Sequence, residues 1–312
     1  MKSTTTTALS ILFSIAAAPL FVTGDAQAQS IRPGVGAIPY VGTPSGTTFR
    51  VWAPNATAVR VAGTFNAWNA TSHPLASEGN GFWSGDVNFV YAGTQYKFVI
   101  TGPGGTAIWK NDARARQVTN SVGNSVVVNH SAYSWTTPNF QIADWNKLVI
   151  YELHIGTFGQ TPDGVLPANF DEARAKLDHL ADLGVNAVQV MPICEFPQSI
   201  SWGYNPSFPY AIESAYGTPT DFKEFVDAAH ARGIAVFSDL VFNHLGPTDL
   251  DLWQYDGWSQ NNGGGIFFYQ DFRANTPWGN TRPDFGRGEV RSYIRDNVMY
   301  WLDEYRLDGH RM

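Results

Sequence analysis

The sequence predicts an antiparallel β-sandwich followed by a parallel α/β domain. Over residues 47–130, short runs of β-branched and aromatic residues alternate with turn residues, and no helical period lies between them, which is typical of a small sandwich. After Lys147, four apolar runs alternate with three segments of helical periodicity, a pattern that favours a parallel sheet. A chain of 312 residues is long enough for one large and one small domain.

The composition argues against nucleic acid as a partner. Charged residues make up only 15% of the chain, and its net charge is −7, whereas phosphate binding needs clustered Lys and Arg. Aromatic residues make up 14%, with 11 Trp; most fit ordinary packing, although flat rings also bind the apolar faces of sugars. Cys194 is the single cysteine, which excludes an intrachain disulfide.

The first 28 residues indicate a cleaved signal peptide. Lys2 supplies a positive charge, Ala8–Val22 is apolar, and Ala-Gln-Ala at 26–28 matches a small-x-small cleavage site. This apolar run, interrupted by Pro19, is shorter than the roughly 20 residues that a membrane span needs. We therefore expect export to the periplasm or the exterior, with no membrane partner after cleavage.

The predicted sandwich over residues 47–130 follows a flexible N-terminal segment, which we expect over residues 29–46. Turn-forming sequences such as Pro54-Asn55 and Gly-Pro-Gly-Gly at 102–105 separate its strands. Residues 131–147 are polar and irregular in pattern, so we expect a linker there.

Capping signals set the predicted helix ends in the α/β region over residues 148–312. Leu148–Ile155 is a continuous apolar run, as expected of a strand buried on both faces. Asn169 followed by Glu172 predicts a capping box, and Thr218-Pro219 opens a second helix with proline at its first position.

Apolar periodicity completes the pattern of this region. Leu177, Leu180 and Leu183 would line one side of the first helix, with Gly184 at its end. A long Gly- and Asn-rich loop insertion is expected over residues 243–287. Periodicity alone leaves both a doubly wound sheet and a (β/α)₈ barrel open, although no Gly-rich phosphate turn follows the first strand.

Charged residues lie at the predicted C-terminal ends of the strands, where parallel α/β folds gather their working residues. Asp239 and His244 follow the third strand, and Arg311 lies on the fourth. A lone buried carboxylate is costly unless it is paired, so Asp239 and Arg311 are candidates for an ion pair across adjacent strands. A purely structural ion pair is an equal alternative.

Four segments carry long motifs: YELHIGTF at 151–158, the stretch 202–234 beginning WGYNPSFPY, DLVFNH at 239–244 and PDFGRGEVR at 283–291. In this order they resemble the α-amylase superfamily of glycoside hydrolases, and most closely glycogen (1,4-α-glucan) branching enzymes and trehalohydrolases. The sequence FRVWAPNATAVRVAGTFNAW at 49–68 is similar to the carbohydrate-binding-type sandwich module that precedes the barrel in those enzymes.

The resemblance implies a (β/α)₈ barrel of the TIM type, of which residues 148–312 would form the first half with four strands. It implies an α-glucan substrate (starch, glycogen or maltodextrin) and a retaining reaction with two carboxylates about 5–5.5 Å apart. We expect a 1,4-α-glucan branching-enzyme-like hydrolase or transglycosylase. Two alternatives stay open: a secreted α-amylase-type hydrolase, and a non-catalytic glucan-binding protein with a vestigial half barrel.

The resemblance also implies roles for particular residues. Tyr204 matches the tyrosine that stacks on the sugar at the cleavage point. Asp239 and His244 match the third-strand signature, in which the histidine binds a sugar hydroxyl. Arg311 matches the arginine two residues before the nucleophile, which this arginine keeps ionised. In the sandwich, Trp52 and Trp68 are aromatic candidates for weak glucan binding, but we expect a core position for each.

Three further positions bear on the catalytic centre. Asn243 matches a calcium ligand of many amylases, but branching enzymes commonly lack that site, so we expect no metal and no other cofactor. His310 stands where Leu, Ile or Phe is usual. The nucleophilic Asp would come directly after Met312, and the acid further on. We therefore expect an N-terminal fragment that is inactive by itself.

Overall fold

The computed structural model describes residues 28–159 and 167–312. Apart from its last residue, the predicted signal peptide lies outside the described residues. Within the described ranges, no helix combines the length and the apolar character that a membrane crossing requires.

The N-terminal region is an eight-stranded antiparallel sheet. Its strands are β1 (Gly36–Tyr40), β2 (Gly46–Trp52), β3 (Ala58–Gly63), β4 (Pro74–Ser77), β5 (Phe82–Asn88), β6 (Gln95–Thr101), β7 (Ala107–Lys110) and β8 (Ser125–Val126). They lie in the order β1-β2-β5-β4-β3-β6-β7, with β8 paired to β6. Strand β4 joins the two halves of the sheet, since it pairs with both β3 and β5.

The two halves of this sheet enclose a core between them. The ring of Phe49 on β2 lies 5.0 Å from that of Tyr96 and 6.4 Å from that of Phe98, both on β6. Three strands separate β2 from β6 in the sheet order, so these contacts cross the interior. The predicted antiparallel sandwich is confirmed.

The segment over residues 29–46 is not a flexible leader, contrary to our prediction. Strand β1 pairs with β2 along its whole length. The guanidinium of Arg50 donates hydrogen bonds to the carbonyl oxygens of Ser30, Arg32 and Gly34, which fixes the chain ahead of β1. The groups that order this segment come from β2, so its own composition does not reveal them.

Among its described residues, the C-terminal region contains a four-stranded parallel sheet, a short hairpin and five α-helices. The parallel strands are β9 (Ile150–Leu153), β10 (Ala187–Val190), β13 (Ala235–Asp239) and β14 (Gly309–Arg311), and the hairpin pairs β11 (Cys194–Glu195) with β12 (Phe208–Ile212). The helices are α1 (Ile155–Phe158), α2 (Phe170–Arg174), α3 (Leu177–Asp182), α4 (Pro219–His230) and α5 (Gly288–Tyr305). The sheet order β14-β13-β10-β9 confirms a parallel α/β arrangement.

The predicted caps begin two of these helices. The Asn169 side chain accepts from the Glu172 main-chain N–H at 3.0 Å, and the Glu172 carboxylate accepts from that of Asn169 at 2.9 Å. Thr218 and Asp221 form the same reciprocal box, with Pro219 at the first position of α4. These local bonds satisfy main-chain donors that would otherwise be unpaired.

Two details of the α/β region differ from the prediction. The predicted single helix is divided into α2 and α3. Leu177 and Leu180 are buried, but Leu183 is exposed, because it lies past the end of α3 at Asp182. Ile150 and Tyr151 on β9 are also exposed, although we expected a strand buried on both faces. Within the described residues, β9 has β10 as its one neighbour and lies at an edge of the sheet.

The insertion over residues 243–287 packs against the sandwich. The main-chain N–H and the side-chain amide of Asn111 donate to Asp251 at 2.9 and 2.6 Å. Asn55 donates to Asp256 in the same way, at 2.9 Å for both bonds. Each carboxylate therefore receives two hydrogen bonds from a turn of the sandwich, and the insertion joins the two regions.

The linker over residues 131–147 is irregular, as predicted, and is held by Asp227 of α4. This carboxylate accepts hydrogen bonds from the N–H and hydroxyl groups of both Thr136 and Thr137, and Tyr133 donates a further one at 3.2 Å. Burial alone would raise the pKa of Asp227, but the hydrogen bonds from Thr137 and Thr136 outweigh it and lower the pKa to about 2.

Candidate functional site

Strands β13 and β14 bring Asp239 and Arg311 side by side. The two residues are partners in the parallel register, and Arg311 Nη1 donates to Asp239 Oδ2. Asp239 is buried, whereas the Arg311 side chain is 54% exposed. The arginine thus neutralises a buried carboxylate from the solvent side, and its remaining donors face outward.

Tyr204 joins this pair in a three-residue network. Its hydroxyl donates to Asp239 Oδ2 at 2.7 Å and accepts from Arg311 Nη1 at 2.8 Å. Burial and the bond to Asp239 raise the pKa of Tyr204, and the bonds to Asp239 and Tyr204 raise that of Arg311. The tyrosine therefore stays neutral and the arginine charged at neutral pH, and the ring of Tyr204 is fixed.

His244 lies in the same region and stacks on Trp278. The two rings are 13° apart in plane, with centroids 4.7 Å apart. Burial lowers the pKa of His244, and a hydrogen bond to the main chain of Tyr204 opposes this shift, so the imidazole is neutral at pH 7. Its Nδ1 lies 3.1 Å from Asn243 Nδ2, which makes Nδ1 the acceptor and assigns the proton to Nε2.

A cleft of about 1020 Å³ opens over these residues. Tyr204 and His244 line it, together with the exposed rings of Trp202 (72%) and Trp278 (59%). Asp239 and Arg311 are not part of its wall; they hold Tyr204 from behind. The structure therefore joins Tyr204, Asp239 and Arg311 in one network and places His244 beside it, with Tyr204 and His244 on the surface of the cleft.

The aromatic walls of the cleft and His154 received no role from the sequence. Trp202 stands next to Tyr204 in a motif that could have pointed to it. Trp278 comes from the insertion, where composition gives no such signal. His154 Nε2 lies 2.8 Å from the Ser201 carbonyl oxygen, so this ring supports the segment that carries Trp202.

His310 replaces an apolar residue without leaving a polar atom unpaired. Its Nδ1 lies 2.8 Å from Ser238 Oγ, and its Nε2 lies 3.1 Å from the carbonyl oxygen of Val298 on α5. Burial lowers the pKa of His310, so a neutral ring accepts from Ser238 and donates to Val298. This bridge ties β14 to α5 directly beside Arg311.

Asn243 lines the cleft beside His244. Calcium takes six to eight oxygen ligands, whereas the amide nitrogen of Asn243 faces His244. Within residues 28–159 and 167–312, no group of three His, Cys, Asp or Glu side chains is placed to hold a metal ion.

The two tryptophans considered in the sandwich have different positions. Trp52 is buried and packs edge-on against Phe267 of the insertion, with ring centroids 5.4 Å apart. Trp68 is only half-buried, and its ring lies 6.3 Å from that of Trp109, which is also exposed. The core position expected for Trp68 is thus corrected: it forms a surface aromatic pair.

Comparisons with known proteins match one family to the sandwich and another to the α/β region. Residues 35–115 match carbohydrate-binding module 48 (isoamylase N-terminal domain), and residues 171–252 match the alpha amylase catalytic domain. The chain is similar over 90% of its length to the 1.4 Å crystal structure of a protein described as an alpha amylase, from Salmonella typhimurium, with 36% identity and a TM-score of 0.74; it covers 44% of that chain.

Curated relatives are similar over most of this chain. It is 34% identical over 287 residues to the 1,4-alpha-glucan branching enzyme GlgB of Corynebacterium glutamicum, which is 87% of this chain and 37% of that protein. It is 36% identical over 310 residues to the 1,4-alpha-glucan branching enzyme GlgB 1 of Streptomyces avermitilis, which is 94% of this chain and 35% of that protein. The chain therefore spans little more than a third of the length of these relatives.

Proposed function

The chain belongs to the α-amylase family of glycoside hydrolases, with a carbohydrate-binding module 48 domain ahead of its catalytic domain, and on this premise we propose that it acts on α-glucans. Its glucan site is the Tyr204 cleft. The activity proposed is 1,4-α-glucan branching, in which an α-1,4 bond is broken and an α-1,6 bond formed, as the names of the relatives suggest.

The network of Tyr204, Asp239 and Arg311 is the observation that carries this proposal. A pyranose presents an apolar face, which an aromatic ring can cover, and a rim of hydroxyls, which need hydrogen-bond partners. The cleft offers both, since Tyr204, Trp202 and Trp278 provide rings and His244 provides a neutral imidazole. A ring fixed by two charged partners requires little further ordering when it binds a sugar.

Arg311 is also suited to the chemistry of glycosyl transfer. A retaining reaction needs an ionised carboxylate to attack the anomeric carbon and a second carboxyl group to protonate the leaving oxygen. An exposed guanidinium lowers the pKa of a carboxyl group placed beside it. The resemblance expects that nucleophile directly after Met312. Among the described residues, the carboxylate in this network is Asp239, which is buried beneath Tyr204.

Residues 1–312 by themselves are accordingly proposed to bind α-glucan without cleaving it. The four-stranded sheet is proposed to form half of a (β/α)₈ barrel, which closes only when its last strand meets its first. Export through the N-terminal signal peptide belongs to the same proposal and favours the alternative of a secreted α-amylase-type hydrolase, since glycogen branching is normally a cytoplasmic task.

The sandwich is proposed to provide a second, weaker α-glucan contact. The observation in its favour is the half-exposed pair of Trp68 and Trp109 on its surface. The same pair supports the other alternative, a non-catalytic glucan-binding protein. Replacement of Trp109 by alanine would weaken retention on starch whether the protein is an enzyme or a non-catalytic binding protein. The reaction products therefore distinguish these two functions, and starch binding does not.

The test combines binding with product analysis. Calorimetric titration with maltoheptaose should show binding to residues 28–312, and reducing-sugar assays should show no release from starch. The protein extended past Met312 to the length of its relatives should form new α-1,6 linkages. Net reducing ends without such linkages would favour the hydrolase, and absence of both products would favour the binding protein. Starch cleavage by residues 28–312 would contradict the proposed inactivity.

A further inference from the structure

Two glutamates lie buried together behind the cleft. Glu195 ends β11 and Glu213 follows β12 directly, and both are 0% exposed. The two strands pair with a register irregularity at Cys194 and Glu195. No Arg or Lys of the described residues forms an ion pair with either carboxylate, whereas the buried Asp239 is paired with Arg311.

The two carboxylates make reciprocal hydrogen bonds to the main chain. Glu195 Oε2 accepts from the N–H of Ser214 at 2.7 Å, and Glu213 Oε2 accepts from the N–H of Phe196 at 3.1 Å. Each glutamate therefore binds the residue that follows the other one. Glu213 Oε1 accepts a third N–H, from Ala215, at 3.0 Å.

The Glu213 carboxylate holds the start of the segment over residues 196–207, and the main chain of Glu195 holds its end. Phe196 at its start is held by Glu213, and the N–H of Ser207 at its end donates to the carbonyl oxygen of Glu195 at 2.8 Å. The segment carries Trp202 and Tyr204 into the cleft. The position of both rings thus depends on how the two glutamates are held.

The charges of this pair oppose each other. Burial, and then the charge of Glu213, raise the pKa of Glu195; burial likewise raises the pKa of Glu213. The other titratable groups nearby are Tyr216, whose own pKa is raised by burial and by Glu213, and His154, which contacts the Tyr216 hydroxyl at 2.9 Å. Neither group provides the full positive charge that a Lys or Arg partner would provide in a buried ion pair.

We propose that Glu195 and Glu213 share one proton at neutral pH and act as a positioning pair for Trp202 and Tyr204. Both oxygens of Glu213 accept main-chain N–H groups, which assigns the proton to Glu195 Oε1. That atom faces Ser214 Oγ at 3.3 Å, and a hydroxyl can act as acceptor as well as donor. The consequence for glucan binding rests on the proposed function of the cleft.

The pair makes the segment sensitive to alkaline pH. A carboxyl group whose pKa is raised by folding stabilises the fold fully below its unfolded value, and this contribution is lost as the pH rises through the folded value. When the shared proton leaves, two buried carboxylates repel each other and the ends of segment 196–207 are released. Trp202 and Tyr204 then lose their fixed positions.

Hydrogen exchange at pH 6 and pH 9 tests the pair in the full chain without any glucan. After correction for intrinsic rates, the amides of residues 196–214 should lose protection about tenfold or more at pH 9, because raised carboxyl pKa values make the closed state pH-dependent. Glu195→Gln should keep this protection at pH 9, since its amide can accept from the Ser214 N–H and donate to Ser214 Oγ. Glu152→Gln, on an exposed glutamate of β9, is the matched control and should behave as the wild type.

Equal loss of protection in the wild type and in Glu195→Gln would overturn the proposal, and so would unchanged wild-type protection at pH 9. If Glu195→Gln does not fold, the wild-type comparison between residues 196–214 and helix α4 decides the same question. Maltoheptaose affinity measured at both pH values is a separate arm. Absence of glucan binding at either pH would count against the proposed function, whereas the exchange data would still test the proton-sharing pair.

Discussion

Tyr204 is held in the cleft by a charge pair whose members come from two neighbouring strands. Its hydroxyl contacts both Asp239 and Arg311, so the ring cannot shift without breaking a hydrogen bond to a charged group. Bonds of this kind are stronger than those between neutral groups. The proposed binding of glucan over Tyr204 therefore depends on the Asp239 carboxylate, although this group does not line the cleft.

Asp239→Asn should lower the affinity for maltoheptaose about tenfold, since a hydrogen bond to a charged group contributes roughly 1.5–3 kcal/mol. The side-chain amide that replaces the carboxylate offers only an uncharged oxygen to Tyr204 and Arg311, so both hydrogen bonds become weaker. Arg311 also loses the negative charge that neutralises it. Isothermal titration calorimetry measures the change. Asp144→Asn, in an exposed pair with Lys147, is the control, and an equal effect there would refute the role of the network.

Trp278→Ala should weaken maltoheptaose binding by about tenfold and leave thermal stability nearly unchanged. The ring is 59% exposed, so its loss costs little core packing, but it removes one wall of the cleft and the stacking partner of His244. Phe272→Ala provides a matched control, because this ring is 80% exposed in the same insertion and does not line the cleft. Similar losses in both variants would show that Trp278 has no specific contact.

Among the elements, α4 holds the linker through Asp227, and its His230 ring stacks on Phe140 of the linker. The Asp227 carboxylate on α4 accepts five hydrogen bonds from Tyr133, Thr136 and Thr137. The donors are N–H and hydroxyl groups of a segment that is otherwise irregular. The linker needs no regular structure to be ordered, because one carboxylate satisfies its donors.

Asp227→Ala should lower the free energy of unfolding by about 2 kcal/mol at pH 7, because the hydrogen bonds lower the pKa of Asp227 to about 2 in the folded protein. A depressed carboxyl pKa gives stability above the unfolded value near 4, and this stability is lost as the pH falls towards 2. The difference between the wild type and Asp227→Ala should therefore shrink between pH 4 and pH 2 in urea titrations. A difference that is constant over this range would contradict the assignment.

Helix starts could be predicted from the sequence, whereas sheet edges could not. The boxes at Asn169 and Thr218 involve side chains three residues apart, so the sequence contains all the interacting groups. Strand β1 and the exposure of Ile150 depend on which strands lie alongside, and this information is distant in the chain. The Tyr204 network was accessible through the motif resemblance, but Trp278 was not, because it reaches the cleft from an irregular insertion.

For the whole molecule, the insertion is a joint between the two regions as well as a wall of the cleft. It places Asp251 and Asp256 against turns of the sandwich and Trp278 at the glucan site. The sandwich therefore supports the segment that carries a cleft residue. Through this connection we expect changes in the sandwich to affect the cleft.

Asp251→Ala should destabilise the joint by about 2 kcal/mol, because Asn111 is left with two unsatisfied donors. We expect a lower and broader thermal transition by calorimetry, as the two regions unfold less cooperatively. Gln260→Ala, at an exposed position of the same insertion, is the control. An unchanged transition in Asp251→Ala would show that the joint does not couple the regions.

The central claim is that α-glucan binds over Tyr204, and a crystal structure of residues 28–312 with maltoheptaose tests it most directly. We predict a glucosyl ring stacked on Tyr204, between His244 and the rings of Trp202 and Trp278, with Asp239 and Arg311 still bonded to the tyrosine hydroxyl. Sugar found only at Trp68 and Trp109, with the Tyr204 cleft empty at saturating maltoheptaose, would contradict it.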